Sequence, residues 1–157
     1  NPTAPVGDGD HKPTPTGRMV AGVATGKIRG YVSTTGLNVV DVRDIARGHL
    51  LAYERGAAGE RYLLGGENMS LKELFARIAA IAEQARPRIR VPYTVARIAA
   101  SVGLANANEV RLARLPMYFS SKKAENLLDY RNDSVDNALA RAVREALQRD
   151  REEKGEA

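Results

Sequence analysis

Residues Asn38-Val39-Val40-Asp41-Val42-Arg43-Asp44-Ile45-Ala46-Arg47-Gly48-His49 change their period part-way along. Asn38 to Val42 is dominated by β-branched residues and reads as a strand. Asp44 then stands where an N-cap carboxylate accepts free backbone N–H groups, and it is expected to open a helix running to about Arg55. Ile45, Ala46, Leu50 and Tyr53 form its expected buried side, and Gly56 and Gly59 close it. A strand feeding a helix points to a mixed α/β fold.

The flanking sequence fits that reading. Residues 1–13 are rich in Pro, Gly and Asp and read as loop. Thr14-Pro15 offers an N-cap followed by proline at the first helical position, with Met19, Val20 and Val23 as a short apolar stripe. A helix is expected at about 15–25. Downstream, Arg61-Tyr62-Leu63-Leu64 reads as a short strand and Gly65-Gly66 as a turn. Ser70-Leu71-Lys72-Glu73 is a capping box, and Leu71, Leu74, Phe75, Ile78 and Ala82 follow at helical spacing.

Arg88-Ile89-Arg90-Val91 alternates like a strand until Pro92 stops it. Val95, Ile98, Ala99 and Val102 predict a helix to about Leu104, while residues 103–115 give no clear pattern. Ser120 or Ser121 caps a helix through Leu128. Asp133 is expected to cap a last helix whose apolar stripe is Val135, Ala138, Leu139, Ala142, Val143, Ala146 and Leu147. The expected organisation is one region at 1–148 and a charged, disordered tail at 149–157.

With 157 residues the chain can bury a core without staples. It has no cysteine, which excludes disulfide scaffolds, thiolate zinc sites, iron–sulfur clusters and cysteine nucleophiles. His11 and His49 are its two histidines, too few for a multi-histidine metal site. No apolar run approaches the roughly 18 residues of a membrane span, and the first residues lack a signal-peptide pattern. A cytoplasmic protein is the expectation. The chain starts at Asn1 inside a loop-like stretch, as a cut within a longer protein would.

The net charge of +5 is local. Between Ala85 and Leu115 stand Arg86, Arg88, Arg90, Arg97, Arg111 and Arg114 against the single acid Glu109, which accounts for the whole excess. Such a cluster suits a phosphate or carboxylate ligand or an anionic surface. Aromatics are 5% of the chain with no Trp, so base-stacking RNA recognition is not expected.

Several motifs fail on their chemistry. Gly22-Val23-Ala24-Thr25-Gly26-Lys27-Ile28 has glycine spacing one residue short of a phosphate loop, and Ile28 stands where a hydroxyl must reach magnesium. Tyr118-Phe119-Ser120-Ser121-Lys122 matches Tyr-x-x-x-Lys, in which lysine lowers a catalytic tyrosine's pKa. The serines between them read better as a helix cap. His49 reads as a partly buried structural histidine and His11 as solvated. Asp41 and Asp44 could form a carboxylate pair, but a cap explains Asp44.

Taken in order, four stretches resemble the extended short-chain dehydrogenases/reductases, the NAD-dependent epimerase/dehydratase family. Asn1-Pro2-Thr3-Ala4-Pro5-Val6-Gly7 resembles the Asn-Pro loop after the family's sixth strand. Val40 to His49 resembles its Val-Asp-Val-x-Asp-hydrophobic-Ala stretch. Gly59-Glu60-Arg61-Tyr62-Leu63-Leu64-Gly65-Gly66 is similar to its last sheet strand, and Phe119-Ser120-Ser121-Lys122-Lys123-Ala124 to its later Ser-x-Lys-Ala helix. The nearest groups are the hopanoid-associated sugar epimerases and the dihydroflavonol-reductase-like proteins.

The resemblance implies the C-terminal, substrate-binding part of a doubly wound Rossmann-type fold, mostly helical with a few short strands. The family's glycine-rich dinucleotide turn and catalytic tyrosine–lysine pair precede the Asn-Pro loop and do not stand in this sequence. NAD or NADP is the implied cofactor of the complete enzyme, with Asn1, Pro2 and Thr3 beside it. Arg18, Met19 and Asn38 are the implied substrate-binding residues, and no catalytic residue or metal ligand is expected in this chain. The implied partners are a sugar or related hydroxy or carbonyl compound, the missing N-terminal half and a second copy of the complete protein.

Two departures matter. Leu37 stands where nucleotide-sugar epimerases hold an arginine for the diphosphate, with Arg111 or Arg114 as candidate substitutes. Leu128-Asp129-Tyr130-Arg131-Asn132 replaces the usual Leu-Gly-Tyr-x-Pro turn. The non-enzymatic alternative is a basic helical module that binds a phospholipid surface or nucleic acid.

Overall fold

A computed structural model describes residues 1–103 and 106–155, except the side chain of Glu109. In chain order the elements are β1 (Ala4–Val6), α1 (Pro15–Ala24), β2 (Gly30–Val32), β3 (Gly36–Asp41), α2 (Val42–Arg55) and β4 (Glu67–Ser70). There follow α3 (Leu71–Ile81), β5 (Ile89–Val91), α4 (Tyr93–Ser101), α5 (Ala107–Leu112), α6 (Lys122–Leu128) and α7 (Val135–Lys154). The expected helix end at Leu104 lies outside the described residues.

Strand β3 is the centre of a three-stranded sheet. It pairs in parallel with β1, Ala4 opposite Val39, and antiparallel with β4, Leu37 opposite Met69. Strands β2 and β5 form a separate parallel pair, Tyr31 opposite Arg90. All six β3 residues are buried, and side chains alternate between faces with period two. Leu37 and Val39 join the main core with Val20 and Val23 of α1, Leu74 and Ile78 of α3, and Leu139 and Val143 of α7. A second cluster of Tyr62, Leu64, Ala124, Leu128 and Tyr130 packs under α2.

Local capping sets several helix starts where the sequence puts them. The Thr14 hydroxyl accepts the Gly17 N–H and opens α1. The Ser70 hydroxyl accepts the Glu73 N–H and opens α3. The Glu73 carboxylate takes Arg77 at 2.8 Å, so the return half of the expected capping box goes into an ion pair.

The strand-to-helix join differs from its expected form. Asp41, not Asp44, is the N-cap of α2 and accepts the Arg43 N–H at 2.9 Å. Asp44 lies one turn in and is fully buried, taking the Asp133 N–H at 2.7 Å and Arg47 at 2.5 Å. The two carboxylates have different partners, since Asp41 pairs with Arg141 at 2.6 Å. Leu50 and Tyr53 face solvent and His49 is exposed, its Nδ1 2.8 Å from the Ile45 carbonyl. The buried side runs through Ile45 and Gly48 instead. A side-chain carbon on Gly48 would lie 2.7 Å from Leu64, so close packing through a glycine sets the helix phase.

The expected strand at Arg61–Leu64 reduces to an isolated parallel bridge between Pro2 and Leu64, and the regular strand is the later Glu67–Ser70. Ser134 rather than Asp133 caps α7, while Asp133 spends its carboxylate on Arg47 at 3.1 Å. Helix α7 continues through Lys154, past the point where a disordered tail is expected. Lys27 and Lys154 both hold Asp150 there, and Arg149 pairs with Glu145. After α6, Asp129 adopts the left-handed conformation (φ 57°) at the position where the family turn has glycine.

Burial holds the Asp44 carboxyl above the usual 3.8, against the lowering effects of the Asp133 N–H and Arg47. A native pKa above the unfolded value favours the fold most when the group is protonated. Its contribution therefore falls as pH rises from about 3.8 through the raised native pKa. Asp44→Ala is expected to destabilise by about 2 kcal/mol, because it strands the Asp133 N–H. Thermal melts of the two forms across pH check this: the gap is wider at acid pH than at neutral pH.

Candidate functional site

The sheet and its helices leave a cavity of about 510 Å³ between the three-stranded body and the segment around α5. Thr3, Ala4 and Pro5 with Leu37 make its floor. Met19 of α1 and Leu71 and Phe75 of α3 flank it. Tyr31 of β2 closes one side, edge-on to Phe75 with ring centroids 6.4 Å apart. Val110, Leu112, Ala113 and Met117 cover it. The wall is mostly apolar, with hydroxyls from Thr3, Thr16 and Thr35 and one guanidinium, Arg18.

The cover is tied down by hydrogen bonds. Thr34 and Thr35 hydroxyls donate to the carbonyls of Ala113 and Leu115, and the Met117 N–H donates to the Gly36 carbonyl at 2.9 Å. Gly36 admits this crossing: a side-chain carbon there would lie 2.5 Å from the Tyr118 hydroxyl. Tyr118 thus lies across β3, while Lys122 starts α6 and Ser121 holds its N-cap position. The Ser121 hydroxyl accepts the Gly65 N–H at 2.9 Å, which cross-links two loops instead of capping α6.

The cavity brings together Thr3, Arg18 and Met19, three of the residues singled out in the sequence. Asn1 and Pro2 are exposed beside it, on the segment bridged to Leu64. Asn38 is elsewhere. It is buried on the opposite face of β3 from Leu37, and its amide is fully used. Its oxygen accepts the Thr3 hydroxyl at 2.7 Å and the Gly66 N–H at 2.9 Å. Its nitrogen donates to Asn68 at 2.7 Å and to the carbonyls of Gly66 and Phe119 at 3.2 and 3.4 Å. The Gly66 N–H can only donate and the two carbonyls can only accept, so one amide orientation satisfies all five contacts. Asn38 positions Thr3 from behind the wall.

Leu37 does stand in the wall, at the position where the resemblance leads one to look for an arginine. Arg111 and Arg114 are exposed, outside the lining, on either side of Leu112 and Ala113. Sequence reasoning missed Val110, Leu112 and Ala113, because the short helix α5 carries no clear apolar period.

The fit to a dinucleotide is partial. A pyrophosphate needs free backbone N–H groups at a glycine turn. The N–H groups of Gly65 and Gly66 are taken by Ser121 and Asn38, and Gly26 closes the end of α1 at φ 72°. The Asn1-Pro2-Thr3 edge adds no free N–H: the Asn1 amino group donates to the Tyr62 carbonyl, Pro2 has none, and the Thr3 N–H donates to the Leu64 carbonyl. Among the described residues no cluster of three His, Asp or Glu could hold a metal ion.

No family model matches the chain. A dihydroflavonol 4-reductase-like protein of Synechocystis sp. is 36% identical over 158 positions, covering 91% of this chain and 46% of that protein. The chain belongs to the extended short-chain dehydrogenases/reductases. The crystal structure of gox2253 is 39% identical with a TM-score of 0.81, matching 96% of this chain and 49% of that one. The structure of PA4631, a nucleoside-diphosphate-sugar epimerase from Pseudomonas aeruginosa, is 32% identical with a TM-score of 0.81, matching 94% and 47%. The chain thus spans about half the length of the reductase and epimerase relatives it matches, and its motifs are those of their C-terminal part.

The Asn38 network gives a test that separates a buried amide from a mere strand start. Asn38→Asp puts a second acceptor where three acceptors already converge. It is expected to cost about 3 kcal/mol or more at neutral pH. Urea unfolding of the natural full-length polypeptide reads this as a lowered midpoint, partly restored on acidification.

Proposed function

We propose that the complete protein is an NAD(P)-dependent reductase or epimerase acting at a carbonyl or alcohol carbon, and that this chain supplies the substrate wall. The observation that carries the reading is the apolar cavity beside the Asn1-Pro2-Thr3 edge, lined by Thr3, Arg18 and Met19. NAD or NADP supplies or accepts the hydride when bound. This chain's own residues enclose the substrate, exclude water and offer the Thr16 hydroxyl for its polar groups, since the Thr3 and Thr35 hydroxyls donate to Asn38 and the Leu115 carbonyl. Among the described residues no glycine turn with free N–H groups forms a pyrophosphate cradle, and the family resemblance implies a tyrosine–lysine pair ahead of the Asn-Pro loop, so on this proposal the chain is inactive without the rest of the protein.

The wall also favours a substrate type. Leu37 replaces a phosphate-binding arginine, and the Arg18 guanidinium already donates to the Pro13 carbonyl at 2.8 Å. A nucleotide diphosphate finds one cation in this lining, Arg18, to set against its two phosphates. A compact hydroxy or carbonyl compound with an apolar body fits better, which favours the reductase-like branch. The dihydroflavonol in the Synechocystis relative's name is a compound of that kind.

Oxidation of NADPH and NADH by the natural full-length polypeptide, with a dihydroflavonol as probe, tests the proposal. The full-length protein turns over and residues 1–157 alone do not. Met19→Trp fills the cavity and lowers kcat/KM by about tenfold or more while the circular dichroism spectrum is kept. Turnover by this chain alone, or full activity in Met19→Trp, contradicts the proposal.

A further inference from the structure

Most arginines outside the segment 86–114 have acidic partners. Arg43, Arg47, Arg77, Arg141 and Arg149 each meet a carboxylate. Arg86, Arg88, Arg90, Arg97, Arg111 and Arg114 do not: all six are exposed, and among the described residues none of them has an ion-pair partner. Arg86, Arg88 and Arg90 line an open recess of about 500 Å³ with Lys72, and the one carboxylate there, Glu73, is turned to Arg77.

The same stretch exposes its large apolar side chains. Val95, Ile98 and Val102 recur at helical spacing and are 52–64% exposed, while α4 buries only Ala96. Ile89 on β5 and Leu115 beyond α5 are 59% and 67% exposed. An outward apolar stripe among unpaired guanidiniums is a poor match to water. It suits a surface that offers an apolar phase and a layer of phosphates together.

Other occupants fit less well. Nucleic acid supplies phosphates but no apolar phase, and Tyr93 is the one aromatic between Ala85 and Leu115 on which a base could stack. A second copy would bring the same six cations face to face across a twofold interface. The exposed Asn1-Pro2 stretch leads into β1 of the three-stranded sheet, whereas this lobe follows the separate β2–β5 pair. No described helix is long and apolar enough to cross a membrane, so any bilayer contact made by these helices is peripheral.

We propose that the lobe formed by β5, α4 and α5 docks on an anionic phospholipid surface. Its apolar side chains enter the acyl boundary and its arginines take the headgroup phosphates. This docking is independent of the reductase reading, and its test does not use turnover.

Sedimentation of the natural full-length polypeptide with vesicles tests it, comparing phosphatidylcholine alone with equal parts phosphatidylcholine and phosphatidylglycerol. Binding to the anionic vesicles is expected, weakening steeply with salt. Arg97→Gln reduces partitioning about fivefold and Ile98→Ser about tenfold. Arg144→Gln, on the exposed side of α7, leaves it unchanged, and all three variants keep the wild-type circular dichroism spectrum. Three results overturn the proposal: no vesicle binding, equal binding to neutral vesicles, or an equal loss in Arg144→Gln. Two others overturn it in favour of another occupant. One is a salt-sensitive duplex interaction lost in Arg97→Gln but intact in Ile98→Ser. The other is a dimer that Ile98→Ser dissociates.

Discussion

Strand β3 is buried on both faces, yet it carries an amide at its centre. A buried amide without partners costs more than its hydrogen bonds return, so Asn38 dictates what surrounds it. The Thr3 hydroxyl, the Gly66 backbone, Asn68 and the Phe119 carbonyl all converge on that side chain. Three segments far apart in sequence, around Thr3, Gly66–Asn68 and Phe119, are registered to one strand in this way. The glycines follow from the same constraint, since a side chain at Gly65 would lie 2.4 Å from the Asn38 oxygen and one at Gly66 would lie 2.3 Å from the Val39 carbonyl.

The opposite face of β3 lines the cavity. Leu37 points into the cavity because Asn38 points away from it, and Thr3 reaches the cavity from a position that Asn38 holds. Segment 113–117 is fastened to the β2–β3 turn and closes the cavity from above. Beyond that cover the lobe changes character. Its inner residues, Val110 and Leu112, serve the cavity, while its arginines and the α4 stripe face out. One small element thus separates an apolar interior from a cationic exterior.

What the sequence made legible follows from how local the forces are. Thr14 and Ser70 cap helices through bonds spanning three residues, and the Val135–Val143 stripe buries as its spacing predicts. The α2 phase was not legible, because its contact is Gly48 against Leu64 and Tyr130, and glycine carries no apolar signal. Asp44 looks like a cap because its partners, the Asp133 N–H and Arg47, become visible only in three dimensions. Asp133 misleads for the same reason. Of the residues that the family resemblance implies, Thr3, Arg18 and Met19 line the cavity, whereas Asn38, expected to border it, stands behind its wall. The cover at Val110–Ala113 had no readable period, since α5 is a six-residue helix shaped by the cavity it closes.

The three methionines of this chain offer the most direct reading of whether the cavity is the ligand site. Met19 and Met117 line it, while Met69 is buried in the core at 1% exposure. Methyl-labelled methionine in the natural full-length polypeptide, assigned by substitution and followed by NMR during titration with a dihydroflavonol, separates the two environments. The account predicts that the Met19 and Met117 methyl signals move together and saturate while Met69 stays fixed. Saturable binding that leaves both Met19 and Met117 unmoved contradicts it.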